Sequence, residues 1–198
     1  MSDELRLWIG IFSVVISAAA YLYYMVITYR GHVKPHLFSW AVWAILLWIV
    51  FFAQASKGAG AGAWVTAASA LFSTIITFQA YLYGEKNITK SDWIALIGAL
   101  TTIPVWYMTR DPLWVEIIAC VIDAFACYPT ARKSYYKPYE ESAIMFTVDI
   151  VKWVFGILAM TTFSAVTLTY PIYAFVANGT ILAIIVWQRL KANGLKRA

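Results

Sequence analysis

Residues 142–162 read Ser142-Ala-Ile-Met-Phe-Thr-Val-Asp149-Ile-Val-Lys152-Trp153-Val-Phe-Gly-Ile-Leu-Ala-Met-Thr-Thr162, an apolar run broken near its middle by one acid and one base. A helix crosses a bilayer with about 20 apolar residues, and this run is that long. A charge at the bilayer centre costs at least ~2.5 kcal/mol, so intramembrane charge points to function. Asp149 and Lys152 stand three residues apart on one helix face, where they can pair without help from another helix. An earlier apolar stretch carries Asp123 at about the same depth. If the two helices are neighbours, which a short connection favours, Asp123 closes a triad. Its protonation would then change the partner of Lys152 and shift a two-state equilibrium. The alternative is a static buried salt bridge that fixes helix packing and adds little stability.

The rest of the chain has the same character. Its 198 residues are 62% hydrophobic and 13% charged, with a mean hydropathy of +0.70, whereas soluble domains carry about a quarter charged residues. Met1-Ser-Asp-Glu-Leu-Arg6 is mixed in charge, and the apolar run after it is too long for a signal-peptide core. Seven stretches are long enough to cross a bilayer: 7–28, 36–55, 63–83, 91–108, 112–130, 142–162 and 166–188. Turn or charge signals separate most of them, such as Arg30-Gly-His-Val-Lys-Pro35, Lys57-Gly-Ala-Gly-Ala-Gly62 and Arg110-Asp-Pro112. The last break, within 161–170, carries no charge, and without it the count falls to six.

Lysine and arginine counts bear on orientation. With the N-terminus outside, the inner segments hold Arg30, Lys34, Lys86, Lys90, Arg132, Lys133, Lys137, Arg189, Lys191, Lys196 and Arg197. Outside remain only Arg6, Lys57 and Arg110. This positive-inside bias requires an odd number of spans and so favours seven. It also accounts for the net charge of +5 without a nucleic-acid partner. The expectation is an all-α membrane protein, with a cytoplasmic C-terminus, in a bacterial inner membrane. Its partners would be membrane lipid, a small-molecule solute and further copies of itself.

The chain repeats weakly at about 103 residues. Lys34-Pro35-His36-Leu37-Phe38-Ser39 and Lys137-Pro138-Tyr139-Glu140-Glu141-Ser142 each begin at Lys-Pro, with Ser five residues after the Lys. Two three-helix units, 1–84 and 111–198, would flank one linker helix in 85–110. With one helix between them the units share an orientation, a parallel repeat about the membrane normal. Pro129-Thr130-Ala131-Arg132-Lys133-Ser134, followed by Ser142 at the next helix start, resembles the PQ-loop pattern of the SWEET sugar-carrier superfamily. The 3+1+3 plan and the orientation resemble that family too, and the nicotinamide-riboside carriers that share its fold. The first unit departs from the pattern, with Met25-Val26 in place of the prolyl pair. The resemblance implies a rocking-bundle carrier with Asn178 at a substrate-binding position, Ser73 or Thr74 at the matching place in the third helix, and hinge prolines.

Ten tryptophans sort by depth. Trp8, Trp64, Trp106 and Trp114 fall near one surface, and Trp40, Trp93 and Trp187 near the other, as aromatic belts do. Trp43, Trp48 and Trp153 lie deep, where an indole stacks on a sugar, nucleoside or aromatic ring or fills core. Trp48 and Trp153 share a depth and would face each other across a cavity. Asn178-Gly179 offers either a midplane hydrogen-bonding ligand or close helix packing through small residues. Pro129 lies near the end of the fifth helix, while Pro35 and Pro138 begin the second and sixth, so all three are hinge candidates. Gln54 and Gln79 read as gate or interface groups. Cys120 and Cys127 are small core residues. His32 and His36 lack a third ligand of the right type, so no metal site is expected. No catalytic set falls in the membrane, so neither an enzyme nor a cofactor is expected.

The leading expectation is thus a carrier for a small uncharged or zwitterionic solute. The alternative is a seven-helix receptor or sensor with a midplane ligand pocket. A retinal photoreceptor would need its lysine on the seventh helix, which has none before its inner end.

Overall fold

The computed structural model describes residues 1–85, 88–109 and 111–195. Lys86, Arg110, Lys196 and Arg197, named in the charge count, lie outside the described residues, as does the side chain of Trp106. The described residues form α1 (Asp3–Tyr29), α2 (Leu37–Ser56), α3 (Trp64–Tyr83), α4 (Lys90–Thr109), α5 (Pro112–Tyr136), α6 (Ala143–Leu158) and α7 (Ala165–Leu195), with 3₁₀ turns at Gly60–Ala63 and Pro138–Glu140. The architecture is all-α. Five helices, α1, α2, α3, α5 and α7, are long and apolar enough to cross a membrane. At 16 residues, α6 spans about 24 Å, short of a hydrocarbon core of about 30 Å.

Helix starts follow from side chains that accept otherwise orphaned amides. Ser2 accepts from Leu5, His36 Nδ1 from Ser39 at 3.4 Å, Asp111 from Leu113 at 2.9 Å and Ser142 from Met145 at 3.2 Å. Two expectations about proline are corrected here. Pro138 opens the 3₁₀ turn rather than α6, because the Ser142 cap fixes the start of that helix four residues later. Pro35 lies outside α2, before its cap His36, where its carbonyl accepts from the Glu85 amide at 2.9 Å. Pro129 is inside α5, seven residues before its end, since that helix runs on to Tyr136. The uncharged break before α7 is real. Ser164 and Thr167 bond reciprocally there, Ser164 N to Thr167 Oγ1 at 2.9 Å and Thr167 N to Ser164 Oγ at 3.2 Å. This capping arrangement starts a helix without any charge.

Among the described residues, α3 lies between α1 and α2 and touches both, and α7 lies likewise between α5 and α6. The two groups meet where α1 packs on α6 and α2 on α5, while α4 rests against α5 and α2. The exterior is apolar: Trp8, Phe12, Phe78, Ile94, Val121 and Phe125 are all exposed. The interior holds Ser13, Ser17, Gln54, Ser69, Glu116, Asp123 and Lys152, all buried. Large apolar side chains outside and polar ones inside suit a lipid surround, where the hydrophobic effect does not drive apolar groups inward.

Candidate functional site

Among the described residues, side chains from α1, α2, α3, α5, α6 and α7 line one cavity. α2 supplies Trp40, Trp43 and Leu47, and α6 supplies Phe146, Asp149, Lys152 and Trp153. Counted from the caps His36 and Ser142, Trp40, Trp43 and Leu47 hold the fourth, seventh and eleventh places of α2, and Phe146, Asp149 and Trp153 hold the same places of α6. From α3 come Ser69 and Ser73, and from α7 Ala174 and Asn178, again one helical turn apart. Tyr21 of α1, Asp123 and Cys127 of α5 and Tyr170 of α7 complete the polar part of the wall. The cavity volume is about 50 Å³, room for about four waters at ~10–15 Å³ of usable volume each.

The charges form two separate groups. Lys152 Nζ lies 2.5 Å from Asp149 Oδ1 and donates to the Tyr21 hydroxyl at 2.8 Å. The same ammonium sits 4.5 Å from the Tyr21 ring centroid and 5.4 Å from that of Trp153, at cation–π distance. Asp123 does not join them. Its Oδ1 accepts from the Tyr170 hydroxyl at 2.9 Å and its Oδ2 from the Cys127 thiol at 3.3 Å. The expected triad is therefore two neighbouring sites on one cavity wall. The cause is that α7 separates α5 from α6, so a short connection did not make those helices neighbours.

The structure brings Trp43, Ser73, Trp153, Asn178, Asp123, Asp149 and Lys152 to the cavity. It does not bring Trp48 there. Trp48 donates to Thr74 Oγ1 at 3.3 Å and packs against Phe51 and the exposed Phe52, away from the chamber. Leu47, one residue earlier, holds the place that matches Trp153. One residue is a 100° step around a helix, enough to move a side chain off a wall. Asn178 donates to Ala174 O of its own helix at 2.7 Å. Gly179 has nothing within 4 Å of where a Cβ would stand, so it makes no close helix packing. Trp40, expected in an interfacial belt, is buried on the cavity wall with its ring edge-on to Trp43 at 5.2 Å.

The sequence reading passed over Tyr21, Tyr170 and Glu116. Both tyrosines are polar-tipped rings in mid-helix, a pattern open to notice but common in apolar helices. Glu116 is fully buried in α5 and forms no ion pair among the described residues.

Hydrogen-bonded contacts lie at both ends of the two helix groups. At one end the glycine-rich connection between α2 and α3 meets the connection between α6 and α7. Thr161 N donates to Ala59 O at 3.3 Å, and Thr161 Oγ1 donates to Gly58 O at 2.8 Å. Gly58 and Gly60 take positive φ of 71° and 63° there, a conformation that favours glycine. Nearby, Ser13 of α1 donates to Lys152 O at 2.9 Å. At the other end Lys133 and Glu141 form a buried ion pair at 2.5 Å, and Lys133 also donates to Lys34 O across the groups. Arg189 braces this end through Pro138 O and Glu141 O. Gln79 donates to Met25 O at 2.6 Å, and Gln54 accepts from Thr66 at 2.8 Å, so each ties its helix to a neighbour or near neighbour. Among the described residues no group of three His, Cys, Asp or Glu side chains is placed to hold a metal ion. His36 caps α2 and lies 3.7 Å from Asp92.

The chain matches no family model, no curated protein and no solved structure.

Proposed function

We propose that this chain is an integral membrane carrier that moves a small uncharged or zwitterionic solute by exposing its chamber alternately to the two sides of the bilayer. The observation that carries this reading is a polar-and-aromatic cavity walled by both helix groups, with contacts that cross between the groups at either end. A chamber walled by both groups changes its access when one rocks against the other. Its volume of about 50 Å³ is small beside the ~300–1,000 Å³ of ligand sites, which fits an occluded state that opens around its solute.

In this reading all seven helices cross the membrane, as two parallel three-helix units (1–84 and 111–198) joined by a linker helix (85–110). Support comes from the matching places of cavity residues in α2 and α6, and from the middle position of α3 and of α7 in its group. The positive-inside count supports an outer N-terminus and a cytoplasmic C-terminus, as in a bacterial inner membrane. The Pro129-Thr130 motif keeps the likeness to the PQ-loop carriers as part of the proposal, with Pro129 as the remaining hinge candidate inside a helix. No catalytic role is assigned to any residue.

Uptake into sealed proteoliposomes, with a panel of sugars, ribosides, amino acids and amines, tests the reading. Saturable uptake of at least one class supports it, and no flux from folded protein counts against it. A receptor or sensor is the second reading, favoured by the contacts that hold the two groups together at both ends. It predicts ligand binding with no flux.

A further inference from the structure

Resting on that carrier reading, we infer that the chamber recognises the ammonium group of its solute, with Asp123 as the anionic partner and the surrounding aromatic rings as its cage. The argument begins with an ammonium the protein already holds. Lys152 shows what this cavity does with a cation: one carboxylate at 2.5 Å, one tyrosine hydroxyl at 2.8 Å, and two ring faces at 4.5 and 5.4 Å. Parts of this set recur around Asp123. The carboxylate is 4% exposed, the Tyr170 hydroxyl donates to it at 2.9 Å, and the Tyr170 ring stands edge to face with Trp153, 5.8 Å between centroids. Trp43 lines the same wall. What the second arrangement lacks is a cation from the protein. Among the described residues no lysine, arginine or histidine pairs with Asp123, and Lys152 is committed to Asp149.

The charge balance points the same way. The cavity wall carries two acids and one base, so with both acids ionised it is one negative charge in excess. Both Asp123 oxygens accept from neutral donors, the pattern of an ionised carboxylate. A buried charge without a counter-ion is costly at this depth, and a solute cation would offset it. Aromatic faces add attraction for an ammonium that they do not offer an uncharged solute of the same shape. Of the two solute types in the carrier reading, the zwitterion therefore fits and the uncharged one does not, and a simple amine fits as well. The small cavity calls for a short chain beside the ammonium.

Titration calorimetry on the purified full chain in detergent tests this with ethylammonium, using ethanol as the uncharged isostere. The expected result is saturable ethylammonium binding, no ethanol binding, and at least tenfold weaker binding in Asp123→Asn with Asp123→Glu retaining part of it. Equal ethylammonium binding by wild type and Asp123→Asn, or none by folded wild type, overturns the inference. A second measurement needs no variant at Asp123. In Cys120→Ala protein, Cys127 lies on the cavity wall and its maleimide labelling is followed. Protection by ethylammonium but not by ethanol supports the inference, and protection by neither or by both overturns it. Proteoliposome flux separates this claim from the one beneath it. Binding without flux sinks the carrier and leaves the ligand class, whereas flux of an uncharged solute unaffected by Asp123→Asn sinks the ligand class and leaves the carrier.

Discussion

Lys152 is 1% exposed and sits against Asp149 at 2.5 Å, so removing either charge alone leaves the other buried without its counter-charge. Lys152→Met should cost ~3–5 kcal/mol of stability, while Lys152→Met with Asp149→Leu should be near neutral or stabilising, because an apolar pair needs no desolvation. Denaturant unfolding of both variants in detergent checks this, and a double variant weaker than the single one would contradict the pairing. Glu116 belongs to the same class of problem without a charged partner among the described residues. Its carboxyl is buried and forms no ion pair, so Glu116→Gln should leave the melting temperature unchanged or raise it. A clear fall would show that the carboxylate serves a contact or a bound proton. At this scale Asp149 and Lys152 were legible because their three-residue spacing fixes one face. Trp48 was misread because depth is visible in a sequence while azimuth is not: Leu47, one step away, faces the chamber instead. Tyr21 and Tyr170 were missed because a mid-helix tyrosine looks the same whether it faces a pocket or lipid.

Helix existence was plain in the chain because caps and breaks are local. Ser2, His36, Asp111 and Ser142 sit where their side chains meet the first free amides. Neighbour relations were not plain. Lipid-facing and core-facing sides of a membrane helix are both apolar, so periodicity does not say which helix a face meets. That is why α5 and α6 read as adjacent although α7 lies between them. The glycine-rich turn before α3 carried no readable role until its contacts appeared. A Cβ on Gly156 would stand 2.6 Å from Val65 Cγ1 and 3.8 Å from Gly62 O, and Gly62 itself packs on Met160 and Gly156 O. Gly156→Leu should therefore push α6 off this turn and destabilise by ~1–3 kcal/mol, as overpacking does. Val65→Ala in the same chain should recover part of the loss, since the first clash is with a methyl. Melting temperatures of the single and double variants measure the recovery, and strict additivity would contradict the contact.

The molecule as a whole sets two helix groups around one chamber, with glycine-rich contacts joining the groups at one end and Lys133, paired with Glu141 and bonded to Lys34 O across the groups, at the other. Weakening one of these contacts should bias access toward that side. Glu141→Gln should open the end at Lys133 and Lys34, and it should speed labelling of chamber cysteines from that side by several-fold at equal protein. No change in side preference would show that the pair only braces the helix ends. The central claim is alternating access, and side-specific labelling reads it most directly. Ser73, buried on the chamber wall, is replaced by cysteine after Cys120 and Cys127 are changed to alanine. A membrane-impermeant thiol reagent is then applied to sealed right-side-out and inverted vesicles. The account predicts labelling of Ser73→Cys from both sides, each slowed by bound solute; labelling from one side alone, or from neither, would contradict it.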